Sequence, residues 1–145
     1  MKTRTMVGTI LMSVIMILSA FADGKDNIQS YFNDTANKVK ATENPVEKRA
    51  LLHESFRSMI TAVEYVQRSS SLSVNDRMGT DGLKTVLKEK QNELAGDKGF
   101  TRVPDEQLND FADYVVQDLE QADIVISISL ITLLLIVILV ALIVR

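Results

Sequence analysis

Apolar residues recur every three or four positions along most of this chain, the spacing of one helix face and not the alternation of a strand. From Asp26 to about Ala41 the stripe is Ile28, Tyr31, Phe32, Ala36 and Val39, which predicts a first helix. It closes at Thr42-Glu43-Asn44-Pro45, where Asn44 can cap a new helix, Pro45 suits its first position and Glu47 completes a capping box. The second stripe, Leu52, Phe56, Met59, Val63 and Val66, is widened by Leu51 and Ala62. A connection this short makes the two helices an antiparallel hairpin.

Between Arg68 and Gly82 the period is lost among Ser69, Ser70, Ser71, Ser73, Asn75, Asp76, Gly79 and Asp81, so this stretch reads as a loop. A third helix is expected from about Asp81 to Ala95, with Leu83, Val86, Leu87 and Leu94 inward and Gly96 as its stop. A fourth is expected to begin at Pro104, with Leu108, Phe111, Val115, Leu119 and Ala122 on one face.

The two ends follow a different rule. Residues 124–144 carry no charge and only three hydroxyls, Ser127, Ser129 and Thr132, and Arg145 follows. At about 1.5 Å of rise per residue the run matches the roughly 30 Å hydrocarbon core of a bilayer. No Gly or Pro interrupts Asp105 to Val144, so the fourth helix is expected to continue unbroken into this span. At the other end Lys2 and Arg4 precede an apolar stretch that closes on Ala20-Phe21-Ala22, the pattern of an export signal with a small-residue cleavage site. The expected organisation is a signal peptide over 1–22, an extracytoplasmic helical domain over 23–123 and a transmembrane helix over 124–144. The fold class is all-α, a small antiparallel bundle of about four helices.

Charge supports that topology. All 19 acidic residues lie between Asp23 and Asp123, and setting aside Lys2, Arg4 and Arg145 leaves 13 basic residues there, a net charge of about −6. Basic ends and an acidic middle predict a single-pass membrane protein with its C-terminus cytoplasmic and its domain outside. An acidic surface also argues against nucleic acid as a partner. The chain has no cysteine, so disulfides and thiol chemistry are excluded.

Candidate chemistry is sparse. His53 is the only imidazole, and without Cys or a second His the usual structural zinc sets cannot form. No catalytic, cofactor-binding or metal-binding residues are assigned. The Asn75–Gly82 segment lacks the ligand spacing of a calcium loop. Glu106, Asp110 and Asp113 share a helix face with no Lys or Arg between Val103 and Val144, and form a possible acidic docking face. Lys84, Lys88 and Lys90 of the third helix are the expected internal counter-charges. Ser127, Ser129 and Thr132 are the candidate polar contacts within the span.

These features predict a non-enzymatic interaction protein, anchored in the lipid bilayer and meeting another membrane or envelope protein. A second class is an accessory or regulatory subunit of a transporter, channel or receptor, in which the span does the recognising. A third is a membrane-tethered hydrolase using His53 with nearby carboxylates.

Overall fold

The computed structural model describes residues 24–69, 71–122, 124, 126 and 128–144. Within them the chain forms five α-helices and no strand: α1 Gly24–Ala41, α2 Pro45–Ser69, α3 Val74–Ala95, α4 Leu108–Gln121 and α5 Ile128–Val144. The N-terminal export signal expected over 1–22 lies outside the described residues.

Helices α1 to α4 make an up-down-up-down bundle whose core is continuous from Ile28 to Leu119. The α1–α2 turn is set by Asn44, whose Oδ1 accepts the Val46 N–H at 2.9 Å and so meets one of the donors that a helix start leaves open. Antiparallel packing of α2 and α3 is recorded at both ends: Gln67 donates to Asp81, and Arg49 donates to the Leu94 carbonyl. Helix α4 returns beside α1, with Asp113 near Lys40 at one end and Leu119 near Ile28 at the other. Phe56 of α2 sits at the centre, its ring 5.9 Å from Phe32 of α1 and 6.5 Å from Phe111 of α4.

Three expectations are corrected. The supposed loop after Arg68 is mostly helix, because α3 begins at Val74, seven residues before Asp81. Ser73 caps it by accepting the Asp76 N–H at 3.1 Å, and Thr80, fully buried, accepts from Gln67 Nε2 at 3.0 Å. Pro104 is a cap and not a first helical residue: a 3-10 turn, Asp105–Gln107, precedes α4. The third correction is the largest. Helix α4 does not continue into the C-terminal run, since Ala122 is extended (φ −67°, ψ 134°) and ends the helix.

Helix α5 instead folds back along α2 and α1. Leu130, Ile131, Leu134, Leu135 and Ile138 form its inward face and join the bundle core. Ile131 lies beside Ile28 and Leu119 at one end, and Val137, Ile138 and Ala141 lie beside Ser58, Thr61 and Ala62 of α2 at the other. It spans 17 residues, or about 25 Å, short of the roughly 30 Å of a bilayer core. Among the described residues no helix is long and apolar enough to cross a membrane.

Two glycines respond oppositely to a methyl group. Gly82 lies inside α3, and a Cβ there would meet nothing within 4 Å, so Gly82→Ala is expected to stabilise the protein by about 0.5–1 kcal/mol through lower unfolded-state entropy. Gly96 ends α3 at φ +77°, with its N–H donating to the Asn92 carbonyl, and a Cβ there would come within 2.8 Å of the Arg102 backbone nitrogen. Gly96→Ala is expected to cost about 2 kcal/mol or more. Urea midpoints at unchanged slope should move in opposite directions.

Candidate interaction surface

Of the acidic face expected on the fourth helix, one member, Asp113, is paired within the fold. Asp113 accepts from Lys40 at 2.8 Å, and Asp105 from Arg49 at 3.0 Å. Asn109 accepts from Lys48 at 2.8 Å. Counter-charge therefore comes mainly from α1 and α2, and from α3 only through Lys90. Lys84 donates to Gln67, and Lys88 pairs with Glu64 at 3.6 Å, so neither reaches α4. Glu106 and Asp110 remain exposed, with no partner among the described residues. Asp113 stays half-exposed within its surface ion pair with Lys40, so the face carries two open carboxylates and one paired one.

Lys90, expected as a counter-charge, does pair with α4, and what the sequence reading missed is its burial, although the signal was there. Leu83, Leu87, Lys90 and Leu94 follow a four-three-four spacing, so Lys90 occupies a core position of α3. Its side chain is 1% exposed, and Nζ lies 2.7 Å from Asp118, 2.9 Å from Glu93 and 2.7 Å from the Tyr114 hydroxyl. Burial by itself pushes its pKa down, but bonds to Asp118, Tyr114 and Glu93 outweigh it and hold the ammonium well above its usual range. The charge is fully compensated, which makes it a structural clamp between α3 and α4.

Tyr31 behaves differently. Burial pushes its phenol from 10.0 up to about 12, opposed by a hydrogen bond with Ser55. Both groups stabilise the fold while protonated, so their contribution is intact below about pH 10 and is lost as pH climbs through the raised values. Alkaline titration followed by circular dichroism should show stability falling between about pH 10 and 12. Tyr31→Phe should remove about 2–3 kcal/mol of that dependence.

His53 is exposed on α2 and has no hydrogen-bond or ion-pair partner among the described residues. It borders an open depression of about 400 Å³ with Arg49, Leu94, Arg102 and Asp105. Asp105, the carboxylate bordering that depression, is bonded to Arg49 at 3.0 Å and not to the imidazole. No group of three His, Cys, Asp or Glu able to hold a metal ion occurs among the described residues.

What remains is α5. Its outward positions Leu133, Ile136, Val140 and Ile143 rise in exposure from 36% to 62%, with Val144 beyond them. A helix apolar on every side belongs in a deep core or in lipid, and here only its inward half is covered. Contiguous exposed apolar surface of this kind marks a contact with another protein or a membrane. Of the three hydroxyls assigned to the span, Ser127 and the Ser129 side chain lie outside the described residues, and Thr132 is half-buried.

No protein-family profile, curated protein or solved structure matches this chain. Fold and surface together define, among the described residues, an all-α arrangement of five helices with an exposed apolar stripe on α5.

Proposed function

We propose that this chain is a membrane-anchored helical interaction protein. Its C-terminal apolar run is the lipid anchor, and its acidic bundle is the part offered to another membrane or envelope component. The observation that carries this reading is the apolar character of α5 on all sides, with Leu133, Ile136, Val140 and Ile143 left open to solvent. The uncharged stretch of residues 124–144 and the net charge of about −6 on the segment before it support the same reading. The bundle stands on the extracytoplasmic side, because the basic residues flank the apolar ends.

Membrane fractions carrying the full chain should retain it through an alkaline wash, and protease should reach the bundle only from the extracytoplasmic face. Release of the chain by the wash would overturn the anchor, and digestion only from the cytosolic face would overturn the orientation. Affinity capture from detergent-solubilised membranes should then recover a reproducible partner protein.

One observation favours the accessory-subunit reading. The outward residues of α5 follow a three-four-three spacing, which suits packing against another helix as well as against lipid. Scrambling the order of residues 124–144 separates the two, since lipid anchoring survives a scramble and helix recognition does not.

A further inference from the structure

Helix α5 is docked through its inward face, but its seat is incompletely filled toward its C-terminal end. A gap of about 120 Å³ lies between it and α2, bordered by Arg57, Ser58, Thr61 and Ala62 on one side and by Val137, Ile138 and Ala141 on the other. Apart from Ala62, the α2 side chains there are polar and face apolar α5 side chains across incompletely filled space. The helix carries no charged residue, so no ion pair holds it in place. The bundle beneath it is secured independently of α5, through Lys40–Asp113, Arg49–Asp105 and Lys90–Asp118.

Length points the same way. In the docked state the helix is 17 residues long, and Ile124 and Ile126 lie outside it, packed against the core. The whole uncharged run of residues 124–144 is 21 residues, about 31 Å as one helix at the standard rise. The docked helix is therefore shorter than a bilayer core, and the full uncharged run matches one. Ala122, already extended, supplies the pivot, and the Ile124 N–H turns back on the Ala122 carbonyl at 2.9 Å.

We infer that α5 has two alternative seats, the groove along α1 and α2 in water and the hydrocarbon of a bilayer, and that insertion uncovers Ile28 and Ala62 of the groove. This rests on the membrane-anchor reading and adds to it a sheltered form. Lipid is the occupant that accounts for both faces of α5. A second copy of the chain would cover only the outward stripe, and would require neither an apolar inward face nor an uncharged run of bilayer length.

The absence of cysteine makes the test direct. Thr61→Cys and Ala141→Cys place thiols at exposed positions on opposite sides of the gap. A short reducible bis-maleimide should link them within one chain in buffer, and phosphatidylcholine vesicles should suppress the link. The full chain linked beforehand should float with vesicles about tenfold less than the unlinked chain, and reduction of the linker should restore flotation. Each single-cysteine variant, with helicity checked by circular dichroism, controls for folding.

Equal flotation of linked and unlinked chains would overturn the two-seat inference and leave the anchor standing. Failure of both to float would overturn the anchor reading itself. No intramolecular link in buffer would remove the groove seat, and links formed mainly between chains would assign the outward face to a second copy.

Discussion

Ile136→Lys is expected to lower partition into lipid vesicles more than about a hundredfold while leaving the bundle as stable as before. Ile136 stands at the middle of α5 and is 44% exposed, so in water its side chain already faces solvent. A lysine there keeps the inward face intact, and exposed substitutions of this kind change stability by roughly 0.5 kcal/mol or less. At the centre of a membrane helix the same lysine costs about 2.5–3.5 kcal/mol, and the lost isoleucine adds about half a kcal/mol. Flotation and urea unfolding of the same preparation check the two halves. Leu134→Lys is the contrast, because Leu134 is 1% exposed against the bundle and a charge there harms docking and insertion alike. If Ile136→Lys floats undiminished, α5 does not enter lipid.

A second large effect belongs to the core. Phe56→Ala should destabilise the protein by about 3–5 kcal/mol, a large share of the 5–15 kcal/mol typical of a domain. Phe56 is fully buried and touches rings from α1 and α4, so its removal leaves a cavity where three helices meet and no single helix can shift to close it. Phe56→Leu keeps most of the volume and should cost far less, about 1.5 kcal/mol. Urea unfolding distinguishes them: midpoints should fall in the order wild type, leucine, alanine at similar slopes. Equal loss in both variants would mean that ring-on-ring contact, and not filled volume, holds the junction.

The local parts of this fold were legible from residue spacing. The hairpin at Asn44-Pro45, the stop at Gly96 and the inward stripes led by Phe32, Phe56, Leu87 and Phe111 follow from periodicity and capping, which act within one or two turns of chain. The start of α3 was also encoded, since Thr80 continues the Leu83–Leu87 stripe backwards by one turn. The surrounding Ser, Asn, Asp and Gly obscured it. Lys90 was expected as a counter-charge, but its burial was hidden for a similar reason: a lysine at a core position reads as solvated until the partners that neutralise it are known.

By itself, then, the sequence determined an all-α chain, its capped helix starts, its core stripes and an uncharged apolar C-terminal run. Only the tertiary structure decided which cations answer the acids of α4, where Lys90 is buried, and that α5 folds back on α1 and α2 instead of prolonging α4. The physical reason is that helix periodicity is a property of neighbouring residues. The pairing of one face with another depends on which apolar surfaces compete for the same groove, and a helix apolar on every side gives no sequence signal for the face that it will bury.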